Sequence, residues 1–272
     1  MKVEFETLTY EIIGQIGLIS FTEPETRNAL SLQMREELAG LVPEIRDNRD
    51  LRALVVTGKG GSFCAGGDLK GLKDTAMQVD RARDRVMRLH KWFIEFCNME
   101  LPVIAAVDGP AYGAGFNLTL GCDFVLASER ARFCAVFGRI GLVPDLGGLF
   151  LLPRAVGLPR AKELVMTARS FGAEEAKELG LVLEIHPHEA LLERAMEFAG
   201  RFRLSSRLAA GQAKMLLNQA FHLDQKTMAD MEAWAQAVCM GSEYHRKAIS
   251  RFLNKKPLEF DWDRMLRDTG SE

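Results

Sequence analysis

The chain has 272 residues, of which 47% are hydrophobic and 26% charged, and a net charge of −2 at pH 7. Such a chain can bury a substantial core, and its near-neutral balance gives no general pull towards nucleic acid or anionic membrane. The start, MKVEFETLTYEIIGQIGLISF, has no basic segment followed by an apolar one, and nowhere do about 18 apolar residues run together, so a soluble cytoplasmic protein is expected.

A short apolar strand is predicted over residues 17–21. Ser31 then stands as N-cap of an amphipathic helix carrying Met34, Leu38, Leu41 and Ile45. Residues 53–57 (ALVVT) are a near-continuous apolar run, as expected of a strand covered on both faces, and they end in a glycine-dense loop, GKGGSFCAGGDLKGL. A helical pattern follows over 75–99, with Val86, Met87, Leu89, Phe93, Ile94 and Cys97 as apolar positions, and Pro102 opens a strand over 103–107. That strand enters a second small-residue loop, 109–115, which turns into a helix-compatible segment near Ala114. Strand-prone runs recur at 124–127 and 132–134, and helix signals at 159–167 and 173–179, where Gly180 is a natural stop. After a strand over 182–185 the chain is almost wholly helix-prone from about Glu189 to Leu253, with no proline in that stretch until Pro257. Met215, Leu216, Leu217, Ala220, Met228, Met231, Trp234 and Val238 make this last region strongly apolar, for packing on the core or for a subunit interface.

The five cysteines are widely spaced, form no CxxC pair and have no clustered histidines beside them, so reduced thiols and no metal site are expected. GKGGSF lacks the order of a phosphate-binding P-loop, and Gly113, Gly115 and Leu118 do not complete GxGxxG, so neither a nucleotide triphosphatase nor a dinucleotide site is indicated. The two loops have something else in common. Each follows a buried strand and is too rich in Gly and Ala to carry reactive side chains, so each can turn backbone N–H groups towards one oxygen, as an oxyanion hole requires; close backbone packing is the alternative. Downstream, Asp145 is a lone acid among Leu142, Val143, Leu146 and two glycines. It reads as a base for carbanion chemistry or as the cap of the next helix.

In this order and spacing, SFCAGGDLK (62–70), PVIAAVDG (102–109), Gly113-Ala114-Gly115, Cys122-Asp123, GLVP (141–144), LLPRAVG (151–157), AEEAKELGLV (173–182) and RFLNKKP (251–257) resemble the crotonase, or enoyl-CoA hydratase/isomerase, superfamily. The resemblance covers nearly the whole chain. It implies an α/β fold: a spiral of ββα turns over residues 1–200 that holds an acyl-CoA site, and a helical region over 201–272 that trimerises, often as a dimer of trimers. The ligand it implies is an acyl-CoA thioester, coenzyme A being part of the substrate and no separate cofactor being needed. Carried over by position, the backbone N–H groups of Gly67 and Ala114 are the oxyanion donors. Ala65, Asp68 and Leu69 lie along the adenine and pantetheine, and Phe252 with Lys255 or Lys256 approaches CoA, from a neighbouring subunit in some arrangements. Arg27, Lys70 and Lys73 are the candidate phosphate partners, with solvated surface charge as the alternative for each.

The departures from the pattern narrow the chemistry. Hydratases of the family carry two glutamates that activate water, and at those positions this chain has Asn117 and Phe137, neither of which exchanges a proton. Asp145 resembles the catalytic aspartate of dienoyl-CoA isomerases and, more closely, of the ring-rearranging isomerase of phenylacetyl-CoA degradation, which shares GAGxNLxL, GLVPDxGG and LLPR. The resemblance therefore implies an enoyl-CoA isomerase in which Asp145 moves a proton, Asn117 orients the carboxylate or the substrate, and Phe137 lines the substrate site. Burial among Phe137, Leu142 and Leu146 is expected to raise the Asp145 pKa. Three alternatives stand beside it: an enoyl-CoA hydratase, a non-catalytic acyl-CoA binder, and an aryl-CoA dehalogenase using Asp145 as nucleophile with His90. His90 otherwise reads as a helix-surface or satisfied core residue.

Overall fold

The computed structural model describes residues 2–68 and 78–269. Lys2–Glu4 (β1), Leu8–Ile13 (β2) and Ile16–Phe21 (β3) form an antiparallel meander. From β3 onward the sheet is parallel, through Ala53–Gly58 (β4), Val103–Val107 (β5), Phe124–Ser128 (β7) and Glu184–His186 (β10), in the order β1-β2-β3-β4-β5-β7-β10. Between these, Pro110–Tyr112 (β6), Arg132–Cys134 (β8) and Ser170–Gly172 (β9) build a separate three-stranded sheet in the order β6-β8-β9. Each middle turn of the chain thus lays one strand in the large sheet and one in the small sheet before a helix, which is the expected spiral.

Both faces of the large sheet are covered, and this is why its strands read as unbroken apolar runs. Leu54, Val56, Val103, Ala105 and Val107 face a core shared with the first helices of the chain, Leu32–Asp47 (α1), Val79–Cys97 (α2) and Ala114–Leu120 (α3). Ala53, Val55, Ile104 and Ala106 face the opposite layer, where Leu191–Arg201, a helix of the later chain, contributes Leu191, Ala195, Phe198 and Ala199. Ser31 caps α1 as expected, its hydroxyl accepting the Met34 N–H at 3.1 Å.

Three expectations shift. In α2 the buried face is Leu89, Trp92, Phe93 and Phe96, which recur at helical spacing, while Val86, Met87 and Ile94 are exposed. The strand expected over 182–185 forms at Glu184–His186. Helix Ala173–Glu178 ends at Gly180 (φ +75°), and the N–H groups of Leu181 and Val182 both turn back to the Ala176 carbonyl, so Val182 enters the core from a turn and not from a strand. Asp145 does not cap the next helix, Gly148–Val156: its N-cap is Gly147, Gly148 is its first residue and Pro153 sits inside it.

In chain order the remaining α-helices among the described residues are Gly148–Val156 (α4), Leu158–Thr167 (α5), Ala173–Glu178 (α6), Leu191–Arg201 (α7), Arg207–Asn218 (α8), Gln225–Met240 (α9), Glu243–Leu253 (α10) and Trp262–Thr269 (α11). Lys214 ties α8 to the sheet, its ammonium donating to Asp123 Oδ2 at 2.7 Å and to the Leu101 carbonyl at 3.2 Å. Leu217, Trp234 and Val238 are exposed on α8 and α9 and do not pack on the core of this chain. All five cysteines are free thiols, and among the described residues no helix is long and apolar enough to cross a membrane.

Candidate active site

The site is built where the loops leaving β4 and β5 meet. The N–H groups of Phe63 and Cys64 both donate to the Pro110 carbonyl, at 3.1 and 3.0 Å, and the Tyr112 N–H donates to the Cys64 carbonyl at 2.9 Å. Approach this close needs a residue without a side chain: a β-carbon on Gly115 would lie 2.2 Å from the Cys64 carbonyl oxygen. At Gly66 the corresponding point is 2.7 Å from the Tyr112 carbonyl oxygen and 3.6 Å from the Ala114 nitrogen, so the first loop runs against the start of α3. Among the described residues the N–H groups of Gly67 and Ala114 have no acceptor. Ala114 opens α3, where an N–H has no partner one turn back.

Asp145 reaches the same region from a tight turn between Val136–Ile140 and α4. Leu146, fully buried, is held at φ +43° and Gly147 at φ +70°; a left-handed conformation at a leucine is strained, costing of order 1–3 kcal/mol. The turn is clamped on two sides. Asn117, 1% exposed, donates its side-chain N–H to the Asp145 carbonyl oxygen at 2.8 Å, and the Gly148 N–H donates to the same oxygen at 2.9 Å. A β-carbon on Gly148 would collide with the Asn117 amide, at 2.4 Å from its nitrogen. Asn117 therefore fixes the main chain of Asp145 rather than its carboxylate.

One carboxylate oxygen is left unsatisfied: Asp145 Oδ1 is buried and has no hydrogen-bond partner among the described residues. It does not cap α4, whose N-cap is Gly147 with no side-chain bond. Burial raises the Asp145 pKa above the ordinary carboxylate value, opposed first by the Arg35 guanidinium and then by His90. Of the three apolar residues expected to desolvate it, Leu146 and Phe137 are buried and Leu142 is exposed. The Phe137 ring comes within 3.8 Å of the β-carbon position of Gly113, beside the second loop. His90 is half-buried on α2 and has no hydrogen-bond partner among the described residues, so it is neither a plain surface nor a satisfied core histidine.

The candidate CoA contacts fall into three groups. Arg27 is exposed, and its carbonyl accepts the Ala65 N–H at 3.0 Å and the Ser62 hydroxyl at 3.2 Å, so it stands beside the first loop with Ala65 and Asp68. Leu69, Lys70 and Lys73 lie outside the described residues. Phe252, Lys255 and Lys256 are exposed at the end of α10, and no hydrogen bond or ion pair among the described residues joins them to either loop or to Asp145. One residue escaped the sequence reading. Arg35 on α1 places its Nη2 3.8 Å from the β-carbon position of Gly67. Its one signal was a charge at the margin of the apolar stripe that carries Met34 and Leu38.

The sequence model of the Enoyl-CoA hydratase/isomerase family matches residues 11–263. A probable enoyl-CoA hydratase of Rhodobacter capsulatus is 35% identical over 265 residues, covering 95% of this chain and 99% of that protein. The 1,2-epoxyphenylacetyl-CoA isomerase of Escherichia coli is 32% identical over 250 residues, covering 89% and 93%. Among solved structures, an enoyl-CoA hydratase/isomerase from Cupriavidus metallidurans superposes with a TM-score of 0.91 at 42% identity, over 95% of this chain and 97% of that one. With its crotonase fold, this chain belongs to the enoyl-CoA hydratase/isomerase family.

Proposed function

We propose that the protein is an enoyl-CoA isomerase that shifts a double bond within an acyl-CoA thioester. The observation that carries this reading is Oδ1 of Asp145, buried and without a hydrogen-bond partner among the described residues, in a site where, by the resemblance, Asn117 and Phe137 replace the two glutamates that activate water in hydratases. The thioester oxygen accepts hydrogen bonds from the Gly67 and Ala114 N–H groups. Asp145 removes a proton next to the double bond, and the resulting dienolate places its negative charge on that oxygen. The same carboxyl group then returns the proton to a different carbon of the dienolate, so the double bond moves and no atom is gained or lost. Each N–H donor contributes on the order of 10²- to 10³-fold in rate. The reaction is redox-neutral and asks for no cofactor beyond the CoA that the substrate carries.

Asp145→Asn tests the base. It is expected to abolish conversion of a β,γ-enoyl-CoA while leaving thioester binding in place, and retention of full turnover overturns the assignment. Hydration is the second reading, favoured by the names of several relatives, and addition of water to crotonyl-CoA at a rate exceeding the double-bond shift would establish it.

The exposed apolar residues of α8 and α9 support assembly as a homotrimer or a dimer of trimers, in which Phe252 and Lys255 or Lys256 reach the CoA of a neighbouring copy. Light scattering during gel filtration gives the mass of the assembly, and a monomer at micromolar concentration would refute it.

A further inference from the structure

Beside the two loops stands a second charged group that the double-bond shift does not use. Arg35 stands one turn into α1, half-buried, and its Nε–H donates to the Leu30 carbonyl oxygen at 2.9 Å, which fixes the direction of the guanidinium. Leu30 is itself bridged to the first loop, its N–H donating to the Gly66 carbonyl at 2.7 Å. The Arg35 Nη2 is thereby carried to 3.8 Å from the β-carbon position of Gly67, beside one of the two proposed oxyanion donors. Among the described residues neither terminal nitrogen of Arg35 has a hydrogen-bond or ion-pair partner, and Asp145 is too far away to form a direct pair.

This placement is unfavourable for a protein that takes only hydrocarbon chains. Burial lowers the Arg35 pKa and the like charge of Arg85 adds to the effect, while Asp145 and Asp68 counter it. A plain acyl chain drawn past the guanidinium strips water from the terminal N–H groups and offers no acceptor in return. An acyl group with an oxygen at that distance restores the lost hydrogen bonds, in the strong, charge-assisted form that a guanidinium makes with a carboxylate.

We propose that Arg35 is a substrate-binding residue of this site, and that the preferred acyl-CoA carries an oxygen function on its acyl part, a carboxylate or a hydroxyl group, which accepts hydrogen bonds from the Arg35 guanidinium. The proposal rests on reading the region beside the two loops as the acyl site and is independent of Asp145 acting as base.

Binding of saturated thioesters separates the two, because no turnover is needed. Isothermal calorimetry on the full-length protein compares hexanoyl-CoA with ω-hydroxyhexanoyl-CoA and adipoyl-CoA, and butyryl-CoA with succinyl-CoA. At one chain length at least, the oxygen-bearing ligand is expected to bind roughly 10- to 100-fold more tightly than its hydrocarbon counterpart. Arg35→Met should erase that ratio and Arg35→Lys keep part of it, while Asp145→Asn leaves the preference in place. Because each ratio is measured on one preparation, a partly folded variant does not distort it, and Arg35→Gln replaces Arg35→Met if the latter is insoluble. The proposal is overturned by a wild-type protein with no preference at either length, or by an Arg35→Met variant that keeps it. An altered pH–rate profile in Arg35→Met with unchanged ligand preference also overturns it, since Arg35 would then act only through Asp145.

Discussion

Asp123 and Asp145 are both acids that burial pushes towards higher pKa, and the fold treats them in opposite ways. Asp123 Oδ2 accepts the Val103 N–H at 2.8 Å and the Lys214 ammonium at 2.7 Å, and Lys214 is itself 9% exposed. Its neighbours fasten a C-terminal helix to the central sheet. Asp145 has its main chain held by Asn117 and Gly148, yet among the described residues Oδ1 receives nothing and the Arg35 charge acts on it only through space. A carboxylate whose oxygen accepts both a backbone N–H and an ammonium is a rivet, whereas one whose backbone is fixed and whose buried oxygen is left open is poised to take a proton.

The sharpest way to break this contrast is Asp145→Asn. The isomerase reading expects kcat for double-bond shift to fall about 10²- to 10⁴-fold, with thioester affinity measured by calorimetry little changed. If turnover survives intact, Asp145 is a structural acid like Asp123.

The converse variant is Lys214→Ala, which strands the Asp123 carboxylate in the interior. Urea unfolding should show a loss of about 3–5 kcal/mol, and adding Asp123→Asn should recover a large part of it, because the penalty comes from the uncompensated charge. A change below about 1 kcal/mol would place the pair among weak surface bridges.

Asn117→Ala removes the amide that holds the Asp145 carbonyl while leaving the carboxylate itself in place. One lost hydrogen bond of about 1–2 kcal/mol should lower kcat about tenfold with a smaller change in KM. An unchanged kcat would mean that the two glycines and the buried Leu146 set the turn without help.

The smallest effect is read in pH. The Asp145 pKa is raised in the folded chain, so the acid limb of kcat/KM should lie above the ordinary carboxylate range and vanish in Asp145→Asn. The same shift has a stability sign. With the folded pKa above the unfolded one, the folded state binds the proton more tightly, and stability drops as pH rises from the unfolded value through the folded one. Asp145→Asn should therefore melt a few degrees higher than wild type at neutral pH, and the gain should disappear below about pH 4. A variant that melts lower at neutral pH would show that the carboxylate is stabilised by partners, as Asp123 is.

Much of the scaffold was legible in the sequence because its signals are local. The unbroken apolar runs of β4 and β5 announce strands covered on both faces, Ser31 and Gly180 mark a helix start and stop, and ordered motifs along the chain carry the family resemblance. The isolation of Asp145 among apolar residues is likewise a fact of sequence, and the family resemblance implies that Asn117 and Phe137 stand where hydratases carry glutamates. Only the tertiary structure decided that Asn117 holds the Asp145 carbonyl rather than its carboxylate, that Oδ1 has no partner among the described residues, and that Arg35 reaches Gly67. Periodicity and capping act within one helix or strand, so they can be read along the chain. The partners of a buried polar atom depend on which loops the spiral brings together, and here the residues concerned lie on α1, α3 and the turn before α4, which are distant in sequence.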